Sequence, residues 1–230
     1  MKPTITILSS LACLLILGWA LASCETENYE TGDGKYSNMR ADFADTHTSA
    51  PKTVVNMITD DGDSLVFKEK VAVSWAAKGD TTYRALVYYI PEESRSASVL
   101  SVQQVLVPNI RPHYQFKEIK TDPLSIESVW QSRNGRYMNF GLNLLSGSTS
   151  SDDSHHLLGM ICDTLMQNAD GKRHLHLRLF HDQGDVPQYY TTRAFLSIPL
   201  KKEPYRLQSG DTLSVVVNTY DGVVTKSFVY

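Results

Sequence analysis

Histidines and carboxylates are the groups in this chain most able to do chemistry, and their spacing decides what kind. His174 and His176 stand two apart in HLHLRLFHD. On a strand that spacing puts two imidazoles on one face, about 6.5–7 Å apart by the usual rise per residue. His181 and Asp182 follow, and zinc accepts histidine nitrogen and carboxylate oxygen. The spacing matches no standard zinc pattern, however, and a solvated polar face opposite Leu175, Leu177 and Leu179 accounts for it. Asp182-Gln183-Gly184-Asp185 and the trio Asp60, Asp61 and Asp63 offer oxygens of the kind calcium takes. Neither follows the D-x-[DN]-x-[DN]-G loop, and turn formation explains both. His155-His156 reads as loop polarity. No metal and no cofactor are expected. The chain contains no G-x-S-x-G, H-E-x-x-H or C-x-x-C. A Ser-His-Asp triad assembled in space leaves no such trace, so a hydrolase stays open as an alternative.

Cysteine carries a different chemistry. Lys2 and the apolar stretch Ile5 to Leu21 form a signal peptide rather than a spanning helix, which needs about 20 apolar residues. The stretch ends in Leu21-Ala22-Ser23-Cys24, a branched apolar residue and two small ones before a cysteine. That is the lipobox pattern: the small side chains fit a narrow protease cleft, and the Cys24 thiol takes diacylglycerol before cleavage. Each buried CH₂ is worth about 0.8 kcal/mol, and two or more chains anchor stably. The expected partner of Cys24 is thus the lipid bilayer, and the expected address the outer membrane, on its periplasmic face or at the cell surface. Cys162, left alone after Cys13 departs with the signal peptide, reads as a buried structural thiol.

Cleavage before Cys24 leaves 207 of the 230 residues. The mature balance is 21 basic against 25 acidic residues, or −4, without a basic run. Nucleic acid is therefore a poor partner, because phosphate binding needs clustered Lys and Arg. Residues 24–36 are acidic and polar and read as a flexible tether.

Period-two alternation dominates the chain beyond the tether. Leu65, Phe67, Val71, Val73 and Trp75 point one way, Lys68, Lys70 and Ser74 the other. Asp60-Asp61-Gly62-Asp63 predicts a hairpin whose Asp-Gly suits a type I′ turn. With Val54 to Ile58, Thr81 to Ile90 and Ala97 to Val107, the strands of residues 37–112 suit a small barrel. Pro112, Pro123 and the polar residues between them make 113–123 a predicted linker. In 124–230, Met138, Phe140, Leu142 and Leu144 face a core, while Tyr137, Asn139 and Asn143 face away. Leu196, Ile198 and Leu200, and Leu213, Val215 and Val217, form further stripes, and Pro199 predicts an edge strand. With no long helix between strands, this half reads as an antiparallel sandwich.

The segments SIESVWQS (125–132), YMNFGLNLL (137–145), HLHLRLFHDQGDVPQYYT (174–191), AFLSIPL (194–200) and LQSGDTLSVVVNTYDG (207–222), behind a lipobox, resemble the NigD-like lipoprotein family. In residues 36–112 only the strand layout and the Asp-Gly hairpin match. The resemblance implies an OB-like N-terminal barrel followed by a C-terminal β-sandwich, so the expected class is all-β. It also implies a bacteriocin-immunity role as an alternative function, and it brings no active-site residues. The primary expectation is a non-enzymatic binding module whose ligand is an envelope protein or glycan. Tyr189 and Tyr190, beside the polar loop holding His181, Asp182 and Asp185, are its candidate binding residues. Tyr88, Tyr89, Trp75, Trp130 and Tyr137 are other aromatics able to build a platform.

Overall fold

The computed structural model describes residues 34, 36–148 and 155–230. Cys24, the signal peptide and most of the tether lie outside the described residues. The chain divides into Met1–Asn38 and Met39–Tyr230. In the first unit, the Ser37 amide donates to the Gly34 carbonyl at 2.9 Å, closing a turn. The second unit holds every strand of the described residues.

Five strands close a barrel in the order β1-β2-β3-β5-β4: β1 Arg40–Ala50, β2 Thr53–Thr59, β3 Ser64–Ala72, β4 Thr81–Glu92 and β5 Ser96–Gln104. A short parallel pairing of β3 with β5 completes the closure. Alternate residues Val54, Met57, Phe67, Ala85, Val87 and Tyr89 fill the interior. Tyr89 is wholly buried, so its hydroxyl needs a partner and donates to Asp42 at 2.7 Å. Burial and that carboxylate push the phenol up to about 12. The Asp60–Asp63 hairpin forms as expected but is not type I′. Of its residues only Gly62 has positive φ, +92°, so the turn needs one left-handed residue rather than two.

The second half is a sandwich. A five-stranded sheet, β13-β12-β10-β9-β6, faces a three-stranded sheet, β11-β8-β7. The strands are β6 Ile110–Pro112, β7 Ser125–Gln131, β8 Tyr137–Ser146, β9 Leu157–Gln167, β10 Arg173–Asp182, β11 Tyr190–Pro199, β12 Thr212–Thr219 and β13 Gly222–Val229. Met138, Phe140, Leu142 and Leu144 meet Leu175, Leu177, Leu196, Ile198, Leu213 and Val215 between the sheets. Each such side chain is worth about 1.5–3 kcal/mol of burial. Most ladders are antiparallel, but β12 runs parallel to β10 and β6 parallel to β9. The reason for the first is that β11 crosses to the other sheet between β10 and β12, so the returning strand keeps the direction of β10. Pro199 closes β11, which is an edge strand.

Asn139 faces away from the sandwich core, as expected, but not into solvent. It is 0% exposed, because the barrel packs on the outer face of the three-stranded sheet. Residues 113–123 do not run free either. Ile110–Pro112 pairs with β9, the His181 amide donates to the Lys120 carbonyl at 3.0 Å, and the Asp122 amide donates to the His181 carbonyl at 2.9 Å. Backbone groups laid along a sheet take its hydrogen bonds, so this stretch belongs to the sandwich.

Candidate functional site

His181 and Asp182 are the last residues of β10 rather than part of the loop that follows, and the candidate residues around that loop are held apart rather than gathered. His181 is 1% exposed. Its Nδ1 lies 2.9 Å from the Asp122 carbonyl oxygen and its Nε2 3.0 Å from Nδ1 of His156, whose ring stacks on it. It is a cross-link between loops. Asp182 pairs with Lys120 at 2.9 Å and accepts from the Gly184 amide. Those bonds, led by Lys120, hold its carboxyl below the usual range. Asp185 is exposed. Tyr189 and Tyr190 are 78% and 52% exposed. Tyr189 lies over Gly147, where a Cβ would come within 2.8 Å of the ring, with Pro187 alongside.

The second histidine pair is closer than strand geometry alone suggests. The His174 and His176 rings lean together with centroids 3.7 Å apart. His174 Nε2 lies 2.7 Å from Ser214 Oγ, which is 2.7 Å from Ser227 Oγ. Burial first, and His176 second, keep the His174 pKa low. A serine beside a neutral histidine is the start of a nucleophilic site. Here it stops at two members: among the described residues no carboxylate bonds either ring, and no group of three His, Cys, Asp or Glu is placed to hold a metal. Cys162 is 6% exposed, and burial pushes its thiol pKa up, the opposite of what a nucleophile needs.

The polar centre of the molecule lies where barrel meets sandwich, on residues outside that loop. Arg84, on β4, is 4% exposed. Its guanidinium donates to both oxygens of Asp60, at 2.7 and 2.5 Å. It also reaches Asn139 Oδ1 and Ser197 Oγ, each at 3.3 Å. Its charge lies 4.1 Å from the centre of the Tyr137 ring. The Tyr137 hydroxyl donates to Asp45 at 3.0 Å, and Arg136 pairs with the same carboxylate at 2.7 Å. Burial, then Asp45, raises the Tyr137 phenol to about 12. Every member has a partner, so this network fixes how the two β-units meet.

Beside it the surface opens into a cleft of about 370 Å³. The barrel supplies Asp42 and Phe43 from the start of β1 and Asp60 and Asp61 from the β2–β3 turn. The sandwich supplies Trp130 and Gln131 from the end of β7, then Ser132 and Arg133. The Trp130 and Phe43 rings meet edge to face, centroids 5.1 Å apart. Arg133 reaches across to Asp61 at 3.2 Å, both largely exposed. An aromatic wall with carboxylate, amide and guanidinium groups in one concavity between domains is the usual make-up of a ligand site. Of these residues, sequence reasoning singled out Trp130 as an aromatic and Asp60 and Asp61 as turn residues. Phe43 and Arg133 gave no signal.

The NigD-like C-terminal β-sandwich domain matches residues 107–230, just over half of the chain. The chain belongs to the NigD-like family. Solved structures extend the likeness to the barrel. A NigD-like immunity protein from Bacteroides caccae superposes with a TM-score of 0.62 at 20% identity, over 83% of this chain and 96% of that one. A protein of unknown function from Bacteroides vulgatus gives 0.58 at 19%, over 84% and 90%. A candidate lipoprotein from Bacteroides fragilis gives 0.56 at 12%, over 83% and 96%. At these identities the likeness is one of fold. No curated protein matches the chain. The NigD-like sandwich thus supplies Trp130, Gln131, Ser132 and Arg133, while the opposite wall of the cleft comes from the barrel, outside the matched domain.

Proposed function

We propose that this NigD-like protein is a non-enzymatic binding module, held at the outer membrane by acylated Cys24, that takes an envelope ligand, protein or glycan, into the cleft at Phe43 and Trp130. The observation that carries the reading is the cleft itself. It brings exposed polar groups and an aromatic wall together, whereas Cys162 is buried and His181 and Arg84 are tied to their neighbours. The anchor rests on the Leu21–Cys24 lipobox. Consistent with it, no helix among the described residues is long and apolar enough to cross a membrane.

The test is a capture panel of envelope polysaccharides and extracts against the mature protein. Trp130→Ala should weaken capture at least tenfold, and Tyr189→Ala and Tyr190→Ala should leave it unchanged. Capture lost with the tyrosines and kept without Trp130 would move the site to the 181–190 loop. Turnover of a captured molecule would refute the binding-module reading. Cys24→Ser should release the protein from the membrane fraction or leave an unprocessed precursor.

A second reading, neutralisation of a toxin at the envelope, is favoured by the description of the Bacteroides caccae protein as an immunity protein. It predicts that expression protects a sensitive strain against a toxin encoded beside this gene.

A further inference from the structure

The two sheets of the sandwich are unequal. Five strands face three, and the surplus shows where β13 and β7 run along the same flank. Among the described residues β7 pairs only with β8 and β13 only with β12, so each has one free edge. Between them lies a cleft of about 530 Å³, floored by Ile126, Val129, Val224 and Phe228. A strand in a sandwich takes roughly 160 Å³ per residue, from a rise of about 3.4 Å, a strand spacing of about 4.8 Å and a sheet spacing of about 10 Å. The cleft is therefore roughly three residues of a missing fourth strand. Its polar lining says what that strand must carry. Glu127 is already neutralised by Arg193. Of the other charges, Asp221 lies at the β12–β13 turn, at one end of the lining, and Lys226 in the middle of β13, and neither has an ion pair among the described residues.

From this we infer that the β7–β13 cleft binds an extended peptide segment of another protein, which adds as a fourth strand to the free edge of β7. It sets apolar side chains against Val224 and Phe228 and a carboxylate against Lys226. The edge of β7 supplies outward N–H and C=O groups at alternate residues, the backbone half of strand addition. The lysine supplies selectivity, since a charge facing inward at an edge rejects an all-apolar strand and a like-charged one. This site is separate from the interdomain cleft and does not depend on it.

The probe is a displayed library of random seven-residue peptides, selected on the mature protein. Enriched sequences should alternate apolar and polar residues and place an acidic residue between apolar ones. A synthetic peptide of that sequence should slow amide exchange in 125–131 at least tenfold. Lys226→Glu, at an exposed position that leaves folding intact, should weaken the acidic peptide at least tenfold and favour the same peptide with lysine in place of its acid. No enrichment, protection elsewhere, or indifference to Lys226→Glu would overturn the inference. So would protection of 125–131 by a second copy in a concentration-dependent dimer, or peptide binding that appears only once residues 25–33 are removed. Those two results would name a different occupant.

Discussion

The three-stranded sheet meets its surroundings differently on its outer face and at its free edge. On the outer face the barrel closes over Asn139 and Ser197, and Arg84 satisfies both of them together with Asp60. At the edge, β7 faces β13 across an unfilled cleft. The barrel seam has polar groups in mutual balance, so little is left for a ligand. The edge and the neighbouring Phe43–Trp130 cleft keep backbone and side-chain groups exposed. The contrast separates what holds the molecule together from what is available to bind, and in this protein the buried charges belong to the first class.

The largest test of that contrast is Arg84→Ala. It leaves the largely buried carboxylate of Asp60 beside no guanidinium and Asp45 with Arg136 alone, and breaking a buried pair in this way costs about 3–5 kcal/mol. Urea denaturation should show a loss of that size in one transition shared by barrel and sandwich. Two transitions would mean the seam does not couple them.

Alkaline titration is next. Tyr89, in the barrel, Tyr137, at the seam, and Tyr205, in the sandwich, each have phenols raised to about 12. The folded state therefore holds these protons more tightly than the unfolded state, whose tyrosines titrate near 10. Stability should be intact below about pH 10 and fall as pH rises towards 12. Tyr137→Phe should remove the seam's share of that fall in melting temperature.

On the acid side the sign reverses. His156 and His174 have depressed pKa values, mainly from burial. Their contribution is present above the ordinary histidine value of about 6.5 and is lost as pH falls below it. A melting temperature that declines from pH 7 to pH 5, less so in His156→Gln, is the expected outcome. The smallest effect belongs to the open edge. Lys226→Glu should change stability by no more than about 0.5 kcal/mol, as surface substitutions do.

Alternation made both β-units legible because an inward stripe every second residue is what a sheet face requires. It could not say what covers the other face. It places Asn139 of YMNFGLNLL away from the sandwich core without showing that the barrel covers it. Arg84 in TTYRALVYYI is a charge amid an apolar run, and that was the available sign of a buried ion pair. Pro112, Pro123 and the polar residues between them read as a linker, because hydrogen bonds to β9 and β10 depend on spatial neighbours. Parallel pairing of β10 with β12 depends on which sheet β11 joins, which its own sequence does not encode. At the candidate site Trp130 was visible as an aromatic, whereas its partner Phe43 lies 87 positions earlier and only the fold brings the two rings together.

The central claim is tested most directly by the fluorescence of Trp130. Trp75→Phe leaves it as the sole tryptophan of the mature chain. Titration with the envelope fraction that the protein captures should shift the emission saturably, and Phe43→Ala should abolish the shift while Tyr189→Ala does not. Capture of that fraction with no change in Trp130 emission would contradict the assignment of the ligand to the interdomain cleft.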